Sequence, residues 1–138
     1  MTDPWRALDQ RPHLLLLRAP ISERGRYYHH LGAIVVRSGM LVVEERSTLW
    51  HELVHAERGD EHCEAFGARQ ERWCMREAAR RAIDVRALAD AVMWSDHPHE
   101  VADQLKVTPE LLQVRLDHLH PAERGLLAAR RAAREDVA

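Results

Sequence analysis

Two histidines four residues apart, with a glutamate directly after the first, carry the chemistry of this chain. His51-Glu52-Leu53-Val54-His55 spells H-E-x-x-H, the pattern of a zinc-binding helix. A helix turns through about 100° per residue, so positions four apart share a face. His51 and His55 can then offer two imidazole nitrogens to one metal ion. Glu52 sits one step round the helix, within reach of a water on that ion. The trio provides a Lewis acid, a water made acidic and a base to take its proton, which is what hydrolysis requires.

Catalytic zinc normally takes three protein ligands and leaves a fourth position to water. Downstream of the histidines stand Glu64, Glu71, Cys74 and Glu77. Glu64 follows so closely that its helix would have to reverse almost at once. Glu77 lies 22 residues beyond His55, far enough for a loop and several turns of a returning helix. It also stands beside Ala78, Ala79 and Ala82, which would let that helix approach the metal. Glu77 is therefore the first choice and Glu71 the second. Arg76, Arg80 and Arg81 offer Glu77 a competing role as an ordinary salt-bridge partner. Cys74 is a further possibility, although a buried lone thiol commonly fills space as a small apolar group.

Position depends on the elements that carry these residues. Ser47 or Thr48 is expected as the N-cap of the histidine helix, and Gly59 as its left-handed C-cap. Leu49, Leu53 and Ala56 form one apolar stripe and Trp50 with Val54 a second, so the helix should be buried on two sides. Ahead of it, Pro4–Gln10 reads as a short helix capped by Asp3, with Pro4 at its first position. Leu14–Leu17 reads as a buried strand, and Ser22–Gly32 as a loop. Ala33–Val36 and Met40–Val43 flank Arg37-Ser38-Gly39 in the manner of a hairpin. After a polar break at Asp60–His62, a long helix is expected over Glu64–Arg81, with Phe66, Arg69-Gln70, Trp73 and Glu77 spaced at three and four. Helices follow at Val85–Trp94, Pro98–Leu105, Pro109–Leu119 and Pro121–Arg134, the last three opened by a proline. The charged C-terminal end is expected to fray.

The fold class is thus α+β, a small antiparallel or mixed sheet beside the histidine helix, with a helical C-terminal layer. One domain is expected over 1–138, made of an N-terminal helix and sheet (1–46), the metal-site helices (47–83) and the C-terminal helices (84–138). A chain of 138 residues is long enough to bury a core of its own.

Charge and cysteine content narrow the classes of function. Twenty Lys and Arg against 22 Asp and Glu leave a formal charge of −2, which gives no electrostatic pull toward nucleic acid or anionic membrane. Two cysteines are too few for a disulfide framework, and no apolar run is long enough to span a bilayer. The N-terminus lacks a signal-peptide pattern, so a cytoplasmic location is expected.

Ala102, Leu105, Val107, Leu112 and Leu116 match the apolar spacing of a helix-turn-helix. Residues 100–120 nevertheless hold Glu100, Asp103, Glu110 and Asp117 against only Lys106 and Arg115. Acids on the second helix would meet phosphate unfavourably. The pattern is read as packing geometry or a surface for a protein partner, and direct nucleic-acid binding is not expected.

The run ERSTLWHELVHAERGD, followed by MREAARRAI, resembles the ImmA/IrrE family of zinc metallopeptidases over roughly Gly32 to Leu119. Members tend to carry a hairpin, a T-L-x-H-E-x-x-H helix, and then a glutamate followed by small residues on the next helix. The resemblance implies Zn2+ held by His51, His55 and Glu77, with Glu52 as general base. It implies a cytoplasmic endopeptidase that cuts a protein partner, often a transcriptional repressor, in a phage or mobile element. Where the family usually has Asn or Asp two residues after that glutamate, this chain has Ala79. Tyr27, Tyr28, His29 and His30 are the candidates for stabilising the oxyanion. A regulator that keeps the zinc site but acts by binding a partner without cleavage is the alternative.

Overall fold

A computed structural model describes residues 2–59 and 63–137, with the side chains of 63–66 and 137 outside that description. The polar break expected at Asp60–His62, and the side chains of Cys63, Glu64 and Phe66, therefore lie outside the described residues. Among the described residues the fold is α+β, with seven α-helices and a three-stranded mixed sheet.

Helix α1 (Pro4–Asp9) starts as expected, with the Asp3 carboxylate accepting from the Trp5 and Arg6 backbone N–H groups. Strands β1 (Leu15–Ala19), β2 (Gly25–Tyr28) and β3 (Ala33–Arg37) follow, in the sheet order β1-β3-β2. β1 runs parallel to β3, and β2 runs antiparallel to it from Gly25 opposite Val36 to Tyr28 opposite Ala33.

The hairpin is therefore built from other segments than the spacing predicts. β3 pairs with β2, inside the stretch expected to be a loop, and Met40–Val43 forms no strand. β3 is the central strand with both edges taken, so a strand over 40–43 could not pair with it as the expected hairpin. The chain instead enters α2 (Val42–Arg58), where Glu44 and Glu45 in the first turn oppose the positive end of the helix dipole. Leu41 is the N-cap and makes no side-chain cap bond. Ser47 and Thr48, expected as caps, lie inside the helix and are buried. Gly59 ends the helix in the left-handed conformation, as expected.

α2 is the centre of the molecule. Leu49 and Leu53 are fully buried and Trp50 and Val54 nearly so, in agreement with the two apolar stripes. Ile34 and Val36 of β3 belong to the same core. α3 (Cys63–Ala82) crosses α2 and breaks its helical path at Gly67, whose φ of 79° suits glycine. Its core face is Cys74, Ala78, Ala79 and Ala82 rather than the expected stripe through Trp73, which is 41% exposed with Arg58 stacked over its ring.

The C-terminal layer matches the sequence closely. α4 (Val85–Trp94) precedes α5 (Pro98–Leu105), α6 (Pro109–Asp117) and α7 (Pro121–Val137). Lys106 turns the chain between α5 and α6 at a φ of 59°, and the Thr108 side chain caps α6 by accepting from Leu111 N–H. The charged end expected to fray is helical as far as Val137, with side chains 131–136 all exposed. No helix among the described residues is long and apolar enough to cross a membrane.

Candidate metal centre

His51 and His55 stand one turn apart on α2 and aim at one point. Their Nε2 atoms are 3.1 Å apart, and the ring centroids 4.8 Å. The third donor comes from α3, and it is Glu71. Its Oε1 lies 2.6 Å from His51 Nε2 and its Oε2 3.2 Å from His55 Nε2. His51, His55 and Glu71 are close enough together to hold a metal ion.

Glu77, the first choice on sequence, is not in this group. Its Oε2 accepts from Arg80 Nε at 3.0 Å and its Oε1 from Arg81 Nε at 3.1 Å. Those guanidinium groups hold its carboxyl below the ordinary range. The expected small residues do bring α3 close to α2, since Ala78, Ala79 and Ala82 are buried. Cys74 and Ala78 lie three and seven residues after Glu71 on the same face, so the close approach delivers Glu71 to the histidines. Cys74 is not the third donor either. Its Sγ lies 3.5 Å from His55 Nδ1, on the far side of the ring from Nε2.

The donor set fits a divalent cation. Two imidazole nitrogens and a carboxylate are standard zinc donors, and at tetrahedral zinc such atoms stand roughly 3.4 Å apart. Glu71 Oε2 is buried, 3.2 Å from His55 Nε2. The hydrogen bond from His51, with the neighbouring His55, draws the Glu71 carboxyl far below its ordinary pKa.

Glu52 lies beside this cluster and is only 3% exposed, with Oε2 buried and unbonded. Burial raises its pKa, opposed by the two histidines. A buried carboxylate with one oxygen left without a hydrogen bond, next to metal-type donors, is costly as scaffolding and suited to accepting a proton. Gly25 makes room for it: a Cβ there would meet Thr48 Cγ2 at 2.5 Å and Glu52 Cγ at 3.3 Å.

A cavity of about 320 Å³ opens over the site and is lined by His51, Glu52, His55 and Glu71. Searches against protein-family models, curated proteins and solved structures return no match.

One wall of the cavity is β2 with the two residues before it, Glu23–Tyr27, and another is the start of α6, through Thr108, Glu110 and Leu111. Thr108 N–H donates to Ser47 Oγ at 3.1 Å, which ties α6 to the histidine helix. Val107 and Leu112 are buried in the α5–α6 pair, with Ala102, so its spacing is a packing signal. Sequence reasoning had placed neither Gly25 nor Thr108 at the site, and no local pattern marks them. Of the four oxyanion candidates, Tyr27 lines the cavity, its hydroxyl 3.1 Å from His29 Nδ1. Tyr28, His29 and His30 are not on its walls.

Proposed function

We propose that this protein is a zinc-dependent endopeptidase of the ImmA/IrrE kind, acting on a protein partner such as a transcriptional repressor. One observation carries the reading: His51, His55 and Glu71 converge in an open cavity beside a buried Glu52 whose Oε2 makes no hydrogen bond. Donors without a general base would support storage or structure, and a base without donors would lack an activated water. Here both stand together.

His51 Nε2, His55 Nε2 and the Glu71 carboxylate would hold Zn2+. The ion, when bound, supplies Lewis acidity toward water and a scissile carbonyl. Glu52 takes the proton of the attacking water on its carboxylate and returns it to the leaving amine. The cavity, walled by β2 and the start of α6, is where a substrate segment would lie. Recognition of nucleic acid by α6 is disfavoured, since its first turn faces this cavity and is bonded to α2 through Ser47.

Glu52→Gln tests the reading against binding without cleavage. The variant should keep zinc near one per chain and lose hydrolysis of a repressor-type protein substrate that the parent cuts. Persistence of the biological effect in that variant would support the binding role instead.

A further inference from the structure

We infer that Cys74 is the positioning residue of His55, its Sγ holding the Nδ1–H so that Nε2 is left bare for the cation. This rests on the reading of His51, His55 and Glu71 as metal donors. His55 is 2% exposed and Cys74 is fully buried, so the polar edge of the ring must be met by protein. Sγ stands 3.5 Å from Nδ1, within the longer reach of sulfur. A neutral imidazole carries one N–H. With that proton on Nδ1, the Nε2 lone pair points at the space shared with His51 Nε2 and Glu71, 3.1 and 3.2 Å away.

Metal-binding histidines usually give their second N–H to a carboxylate or a carbonyl, and that partner fixes the tautomer. A thiol differs in being able both to accept and to donate. When Nε2 carries the proton, S–H can donate to Nδ1. When Nε2 is given to a cation, Sγ accepts from Nδ1–H. The ring can thus change tautomer on loading with Nδ1 met in both states and no side chain moved. A carbonyl, which only accepts, would serve one state alone. Cys74 reaches this place because Glu71, Cys74 and Ala78 share the face of α3 packed on α2. The same face that presents the third donor thereby orients the second.

The test compares the full chain with Cys74→Ala and Cys74→Ser, reading zinc affinity by competition with a chromogenic chelator and the visible spectrum of the cobalt-loaded form. Cys74→Ala should weaken zinc binding by about ten- to a hundredfold and shift the cobalt bands. Cys74→Ser, which keeps an atom able to accept and donate, should recover part of both. Zinc-free melting temperatures report the fold separately. If Cys74→Ala destabilises the fold, Cys74→Val fills the space without a hydrogen-bonding atom and replaces it. Affinity for the apolar variant within about threefold of the parent, or equal losses in the apolar and serine variants, would overturn the inference and leave Cys74 as packing. A parent protein that binds no zinc would overturn the metal centre itself, and this inference with it.

Discussion

Glu71 and Glu77 lie six residues apart on α3 and serve different neighbours. At about 100° per residue the two carboxylates are offset by about 120° around the helix. Glu71 reaches the histidines of α2, while Glu77 is occupied by Arg80 and Arg81. Either could have been the third donor on sequence spacing, and the crossing of α3 over α2 chooses between them.

That choice predicts opposite phenotypes for two similar substitutions. Glu71→Ala should remove one of three donors and lower zinc affinity by more than the roughly 10–100-fold that loss of an outer-shell partner costs. Glu77→Ala should leave zinc stoichiometry unchanged and cost up to roughly 1 kcal/mol of stability, as expected for a partly exposed ion pair. Metal analysis and thermal unfolding of both variants check this. Zinc lost from Glu77→Ala and retained by Glu71→Ala would reverse the assignment.

Glu52→Gln should separate catalysis from folding. Loss of a general base lowers a hydrolytic rate by about 10²–10⁴-fold. The amide has nearly the same shape and carries no charge to desolvate, whereas burial already penalises the Glu52 carboxylate. The zinc-free variant should therefore melt no lower than the parent. A large drop in melting temperature would show that Glu52 is structural.

The β2–α2 contact can be tested by restoring lost space. Gly25→Ala drives a methyl into Thr48 Cγ2 and crowds Glu52 Cγ, with an overpacking cost of roughly 1–3 kcal/mol. Thr48→Ser removes that Cγ2 atom. The double variant should recover stability relative to Gly25→Ala, with a coupling energy of about 0.5 kcal/mol or more. Additive losses in denaturant unfolding would place the strain elsewhere.

Arg115 predicts an acid-sensitive clamp remote from the cavity. Its guanidinium is 4% exposed, donates to Ile83 C=O at 2.9 Å, and grips both Glu123 oxygens at 2.9 and 2.6 Å. That hydrogen bonding holds the Glu123 carboxyl down to about 2 from its ordinary 4.5. A carboxyl depressed in the folded state stabilises it above the unfolded pKa, so the contribution is full above about pH 4.5 and is lost as pH falls toward about 2. Glu123→Gln should cost about 1–3 kcal/mol near neutrality, because it weakens the charged hydrogen bonds that hold the buried Arg115 guanidinium. The difference between parent and variant should shrink on acidification through that window. A pH-independent difference would contradict the ion pair.

Local signals were read well where the chain carries its own constraint. Asp3-Pro4, Pro98, Pro109 and Pro121 each open the expected helix, and Gly59 closes α2. Prolines fix φ and glycine admits the left-handed turn, so neighbours elsewhere in the fold matter little. The strand over Met40–Val43 failed for the opposite reason: its hairpin needed an edge of β3, and β1 and β2, from earlier in the chain, occupy both. Ser47 and Thr48 looked like caps, yet Ser47 accepts from Thr108 and Thr48 packs over Gly25. Both contacts join residues distant along the chain.

By itself the sequence determined that His51 and His55 share a helix face with Glu52 beside them, because helical periodicity is a property of neighbours along the chain. It also determined the α+β class through its caps, breakers and apolar stripes. Only the tertiary structure decided that Glu71 completes the donor set, that Cys74 stands behind His55, and that β2 and α6 wall the cavity. Those outcomes depend on how helices and strands pack across the core, where the angle of α3 on α2 governs which carboxylate arrives.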